Sequence, residues 1–243
     1  MRIELINISK KFNLNFVKSK SALEIFTKRK IKKDDFWALK DISFQAEAGE
    51  NIGIIGKNGS GKSTLLRVIA GIYIPDKGLL KTNGEIVYLT GFGQGLSSKL
   101  TMKENIYLTG SIMGLSQKDI KKRFNEIVDF SELEKYINIK LYKFSSGMIS
   151  RLGSSIGIFC LFHKNPDILL LDEVLGVGAD IDYQNKALKK IEELIKGGST
   201  VILASHDLDS IKKYCHRTIW LDKGNIIKIG EPNKIVLEYT KDS

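Results

Sequence analysis

The chain has 243 residues, 42% of them apolar, which is enough to fill a substantial core and excludes a disordered tail. Its longest uncharged apolar stretch, Ile156 to Phe162, is seven residues, far short of the roughly 20 that cross a bilayer as a helix. Lys and Arg outnumber Asp and Glu by 38 to 28, a net charge of +10.

The opening MRIELINISKKF has no apolar core followed by a small-residue cleavage site, so no secretory signal is expected and the chain is placed in the cytosol. From Lys10 to Lys33 nine basic residues (Lys10, Lys11, Lys18, Lys20, Lys28, Arg29, Lys30, Lys32, Lys33) stand against one acid, Glu24. Such a segment can meet anionic lipid, nucleic acid or an acidic partner, or lie as a solvated loop.

β-rich runs at Ile3–Ile8, Ala38–Ala46, Asn51–Ile55, Ile168–Leu171, Thr200–Ala204 and Thr218–Leu221 alternate with helical patterns, the signature of an α/β fold with parallel strands at the centre of its sheet. Asn51–Ile55, Ile168–Leu171 and Thr200–Ala204 are almost continuously apolar, as strands covered on both faces must be. Between about Thr101 and His163 helical patterns take over, beginning with Lys103–Met113, Gln117–Asp129 and Glu132–Ile137, which reads as a helical insertion. IWLDKGNIIKIGEP reads as a hairpin turning at Lys223-Gly224-Asn225. No repeat and no Pro/Ser/Gly-rich linker divides the chain, so one unit spanning 1–243 is expected. Cys160 and Cys215 form no CxxC pair and are read as free thiols.

After the apolar NIGII comes Gly56-Lys57-Asn58-Gly59-Ser60-Gly61-Lys62-Ser63-Thr64, then the helical LLRVIAG. This is GxxxxGK[ST] in its strand–loop–helix setting. Glycines let successive N–H groups turn inward, and the following helix adds its positive N-terminal dipole, so the loop can cradle phosphate oxygens. Lys62 is placed to reach the β- and γ-phosphates, and the Ser63 hydroxyl suits Mg²⁺, a hard cation that takes oxygen ligands. A second signal is Asp167-Ile168-Leu169-Leu170-Leu171-Asp172-Glu173. A buried strand ending in two acids presents them at the sheet edge where ligands of open α/β sheets bind. Asp172 is expected to hold hydrated Mg²⁺ and Glu173 to act on the attacking water. The strand TVILASHD brings His206 to the same edge.

This order of motifs resembles the nucleotide-binding subunits of ATP-binding cassette transporters. Phe144-Ser145-Ser146-Gly147-Met148 stands where that family carries its LSGGQ-type signature, 27 residues before Asp172, and His206 stands at its switch histidine. Asp35-Phe36-Trp37-Ala38-Leu39-Lys40-Asp41, the SSGM signature with Arg151-Leu152, and Asp172-Glu173-Val174-Leu175-Gly176-Val177-Gly178 look like the subgroup that exports O-antigen, capsule or teichoic acid. The resemblance implies a P-loop NTPase core with a mostly parallel sheet at 1–90 and 164–243, an antiparallel β part, and a helical subdomain at 91–163. It implies ATP and Mg²⁺ as ligands, a homodimer whose Ser145, Ser146 and Gly147 close on the partner's nucleotide, and docking through Leu100–Asn105 onto a polytopic membrane subunit at the cytoplasmic face of the membrane.

Phe12 matches the family's adenine-stacking aromatic, with Trp37 as the alternative. Phe92 or Gly91 stands where the family places a glutamine, and Gln94 follows two or three residues later as the expected Mg²⁺ or water contact. Ala179 stands where an aspartate is usual, and Asp180 follows. The competing reading is a soluble ATPase of the same superfamily acting on nucleic acid or ribosomes through the basic segment; a third is a nucleotide sensor without turnover. Long coiled coils or a second cassette would mark the nucleic-acid and ribosome members, and the chain shows neither.

Overall fold

The computed structural model describes residues 1–13, 35–90, 95–164, 166–174 and 181–242. The three almost continuously apolar runs form the middle of one sheet. β3 (Asn51–Ile55), β6 (Ile168–Asp172) and β7 (Thr200–Ala204) are buried at every residue. With β5 (Ile86–Thr90), β8 (Arg217–Asp222) and β9 (Asn225–Gly230) they make a six-stranded sheet of order β5-β6-β7-β3-β8-β9, parallel except for β9. β1 (Ile3–Asn13) runs antiparallel between β2 (Asp35–Ala46) and β4 (Lys77–Thr82) in a second, three-stranded sheet. The architecture is thus the expected α/β core with an antiparallel part and inserted helices.

Alternation along the central strands divides their side chains between two cores. Ile168 and Leu170 pack with α1 (Lys62–Ile69), whose Leu65, Leu66, Val68 and Ile69 fill the space between the two sheets. Each such fully buried side chain is worth roughly 1.5–3 kcal/mol. Leu169 and Leu171 face the other way, with Tyr183, Ala187, Ile191 and Ile195 of α5 (Ile181–Lys196), Ile211 of α6 (Leu208–Tyr214), and Ile235 and Val236 of α7 (Pro232–Asp242).

The inserted helices α2 (Met102–Ile112), α3 (Gln117–Ser131) and α4 (Ser146–Lys164) have a core of their own around Met102, Ile106, Ile127 and Leu152. Local chemistry sets their starts: Thr101 and Glu104 form a reciprocal capping box on α2, and the Ser116 hydroxyl accepts from Asp119 N on α3. α4 belongs to both units, with Leu152, Ile156 and Cys160 in the helical core and Ile158 and Leu161 against the sheet.

Three details differ from the sequence reading. Glu132–Ile137 is not an α-helix: Glu132 takes a left-handed φ of 59° that ends α3, and only the 3-10 turn Glu134–Tyr136 follows. β4 and β5 were not expected. β4 (KGLLKT) is largely exposed and so lacks an apolar alternation, whereas β5 (IVYLT) carries a β-rich run just after the Asn83-Gly84-Glu85 turn sequence that marks it in retrospect. The expected hairpin is present, with β8 and β9 antiparallel around Lys223-Gly224.

Candidate functional site

The phosphate loop leaves β3 and enters α1 with backbone angles that only glycine accepts. Gly61 has φ of 110°, and a Cβ there would stand 2.7 Å from Ala38 O; at Gly56 a Cβ would stand 2.1 Å from Leu221 O. The loop is also tied to the β8–β9 turn, since Gly224 N donates to Ser60 O at 2.9 Å. No side chain caps the start of α1, so its first-turn N–H groups remain available to an anion. Ser60 Oγ is buried without a hydrogen-bond partner.

Lys62, 6% exposed, folds its ammonium back on the loop, donating to Gly56 O at 2.8 Å and Lys57 O at 3.4 Å. Burial lowers its pKa from the ordinary 10.5, partly offset by the charges of Glu173 and Asp172. An ammonium has three protons, so one remains to be offered to a ligand.

Across the sheet edge, β6 delivers Asp172 in parallel register with Ala204 of β7 and Thr90 of β5. Both Asp172 oxygens are held: Ser63 Oγ donates to Oδ1 at 3.0 Å and Tyr88 OH donates to Oδ2 at 2.9 Å. Glu173 then takes a positive φ of 53°, with its N–H donating to Ala204 O at 3.0 Å, which turns its side chain out of the strand. Its Oε1 is buried without a hydrogen bond, 3.3 Å from His206 Nε2.

His206 sits between β7 and α6, in a turn fixed on one side by Ser205 Oγ accepting from Asp207 N and on the other by the Asp207 carboxylate capping α6. Its Nε2 is 2.8 Å from Asn58 Oδ1 and 3.4 Å from Lys62 Nζ. Acceptors outnumber donors around Nε2, so the ring is read with its proton there.

These side chains converge on one cavity of about 510 Å³, lined by Phe12, Phe36, Ala38, Asn58, Gly59, Gly61, Lys62, Ser63, Thr64, Glu173 and His206. Phe12 therefore lies at the cavity. Trp37 does not, since alternation along β2 turns it to the other face, where it lines a separate cavity of about 200 Å³ with Ser9, Lys40, Asp41 and Lys77. Phe36, directly opposite Phe12 in the β1–β2 register, takes the place that Trp37 lacks. The sequence reading missed Phe36 and Tyr88; the first was legible from the same alternation, the second carried no motif.

Ser145 and Ser146 are exposed at the start of α4, where Ser145 Oγ accepts from Met148 N at 3.2 Å, and neither they nor Gly147 line the Lys62 cavity. Gln94, Gly91, Phe92, Ala179, Asp180 and the basic residues from Lys18 to Lys33 lie outside the described residues.

The donor set suits a hard cation. Ser63 Oγ, the Asp172 carboxylate and Glu173 Oε1 are all oxygens. Among the described residues no cluster of three or more His, Cys, Asp or Glu could hold a metal by itself. A cation here would lean on phosphate oxygens and water, the habit of Mg²⁺. No described helix is long and apolar enough to cross a membrane.

Residues 39–176 match the family described as ABC transporter. The chain is 38% identical over 243 residues to the teichoic acids export ATP-binding protein TagH of Lactococcus lactis, covering 99% of this chain and 51% of the relative. It is 37% identical to the O-antigen export system ATP-binding protein RfbB of Klebsiella pneumoniae, covering 84% of this chain and 81% of the relative. The chain thus spans about half the length of the Lactococcus relative and most of the Klebsiella one. Among solved structures, an ATP-binding subunit of an ABC transporter superposes with a TM-score of 0.72 at 21% identity, covering 99% of this chain and 94% of the other. A dimeric ATP-binding cassette bound to ADP and Pi in a post-hydrolysis state superposes with a TM-score of 0.70 at 23% identity, covering 95% of this chain and 98% of the other.

Proposed function

Because the chain belongs to the ABC transporter family, we propose that it binds and hydrolyses ATP with Mg²⁺ to power export of a polysaccharide such as teichoic acid, O-antigen or capsule. The observation that carries this reading is the single cavity in which Lys62, Ser63, Glu173 and His206 meet behind a phosphate-binding loop, with Asp172 hydrogen-bonded to Ser63 at its edge. The export-system names of the relatives supply the cargo class and favour export over action on nucleic acid or ribosomes.

In this reading Gly56 to Thr64 hold the phosphates, with Asn58, Gly59 and Gly61 turning N–H groups inward, the Ser60 N–H closing the loop on Lys57 O, and Lys62 neutralising charge. Phe12 and Phe36 flank the adenine. Ser63 and Asp172 hold Mg²⁺, which when bound neutralises charge developing on the phosphates. Glu173, whose Oε1 lacks a hydrogen-bond partner, orients and polarises the attacking water, and His206 senses the γ-phosphate from beside Lys62.

In this reading two copies close head to tail, so that Ser145 and Ser146, exposed at the start of α4 outside their own chain's cavity, and Gly147 beside them meet the nucleotide of the other copy. Residues 91–163 act as the helical unit that docks on a polytopic membrane subunit, which places the chain at the cytoplasmic face of the membrane. Glu173→Gln is expected to keep nucleotide binding and lose steady-state hydrolysis, and the tagged chain is expected to co-isolate with a polytopic membrane protein. Wild-type turnover in the glutamine variant would remove Glu173 from its role, and recovery with ribosomes or DNA instead would overturn the export reading.

A further inference from the structure

Asp172 is gripped from two sides by groups that trace back to one helix face. Ser63 and Arg67 are four residues apart on α1 and so project from the same side. Ser63 bonds Asp172 Oδ1 directly at 3.0 Å. The Arg67 guanidinium stands beside the Tyr88 hydroxyl, and that hydroxyl donates to Asp172 Oδ2 at 2.9 Å. Tyr88 is on the edge strand β5, where it pairs with Leu170, and Thr90 pairs with Asp172. Tyr88 and Asp172 therefore share a face of the sheet, one two-residue step apart.

The two grips differ in what a ligand does to them. A cation that takes the Ser63 hydroxyl costs Asp172 its Oδ1 partner. The Tyr88 bond lies on the other oxygen and can persist. A phenol keeps its proton at neutral pH, and the 2.9 Å contact with a carboxylate oxygen makes the Tyr88 hydroxyl the donor. The Arg67 guanidinium also lies over the Tyr73 ring, 5.9 Å from its centre, a second contact that favours its position beside the phenol.

We propose that Tyr88, steadied by Arg67, is a positioning residue that holds the Asp172 carboxylate oriented for Mg²⁺ once Ser63 turns to the cation. The inference rests on the ATP–Mg²⁺ reading of the site.

The test is a fluorescence titration of the full chain with N-methylanthraniloyl-ADP, in EDTA and across a Mg²⁺ series, for wild type, Tyr88→Phe, Tyr88→Leu and Arg67→Gln. Removing one hydrogen bond to a charged group should raise the Mg²⁺ concentration for half-maximal enhancement about tenfold in Tyr88→Phe, leaving affinity in EDTA unchanged. Tyr88→Leu should match Tyr88→Phe, and Arg67→Gln should shift the same way by less, which keeps the test open if a Tyr88 variant does not fold. A Mg²⁺ dependence within twofold of wild type in Tyr88→Phe overturns the inference. So does impairment confined to Tyr88→Leu, which would make the ring rather than the hydroxyl the working part, and so does an equal loss in EDTA. Wild-type binding indifferent to Mg²⁺ would overturn the reading of the site and this inference with it.

Discussion

Replacing Lys62 by Met separates the cost of a buried charge from the binding it provides. The side chain is 6% exposed, and its ammonium donates to Gly56 O at 2.8 Å. Burial lowers its pKa, so the charged form is less favourable in the folded chain than in the unfolded one, and below that lowered value Lys62 subtracts from stability. Met is of similar length and removes this cost, while leaving Gly56 O without its partner costs about 1 kcal/mol. The two effects oppose, so ligand-free Lys62→Met is expected to melt within about 4 °C of wild type. Nucleotide binding adds about 2.7 kcal/mol at a hundred times Kd, which in a chain of this size raises Tm by roughly 5–11 °C.

Thermal melts with and without MgATP should show that rise in wild type and none in Lys62→Met. In the window between its lowered folded value and 10.5 the unfolded chain binds the extra proton, so wild-type stability should gain on the Met variant as pH rises toward 10.5. A nucleotide-dependent rise retained in Lys62→Met would refute the placement of phosphate at this loop. A ligand-free Tm lowered by more than about 10 °C would refute the argument from burial.

Phe12→Ala and Phe36→Ala are each expected to weaken ATP binding by about 1–3 kcal/mol in competition assays, while inorganic tripolyphosphate affinity and the Trp37→Ala variant stay at wild-type values; loss in Trp37→Ala would reverse the assignment. Tyr183 OH donates to Arg151 O at 2.8 Å and lies 2.8 Å from both Ser154 Oγ and Ser155 Oγ, joining α5 to α4. The two serines can still turn to their own helix carbonyls, so Tyr183→Phe should cost about 1 kcal/mol, or about 2–4 °C in Tm by calorimetry. A shift beyond about 10 °C would mean the hydroxyl is structurally indispensable.

The phosphate loop, the paired acids and His206 were legible because each sits where a strand ends, and strand ends are marked by abrupt changes in residue type: NIGII to Gly56, ILLL to Asp172, VILA to Ser205. The adenine side was only half legible. Phe12 and Trp37 both follow from family wording, yet the choice between them depends on which face of the β1–β2 pair each residue occupies, and irregularities in the β1–β2 pairing shift the register between Leu5 and Lys11. Tyr88 was invisible for a different reason. Its role depends on contact with Asp172 across two strands separated by 84 residues, and no local spacing encodes that. The helical core was legible in its first two helices through their helical patterns, whereas Glu132–Ile137 misled because its apolar spacing continues past the left-handed Glu132 that ends α3.

The central claim is that a nucleotide seated at Lys62 is closed over by the Ser145 segment of a second copy. The molar mass of Glu173→Gln by light scattering at saturating MgATP tests it most directly. The account predicts twice the 27.3 kDa of a single chain, with the doubling abolished when Ser145→Arg is added. A mass that stays at that of one chain while nucleotide is bound would contradict it.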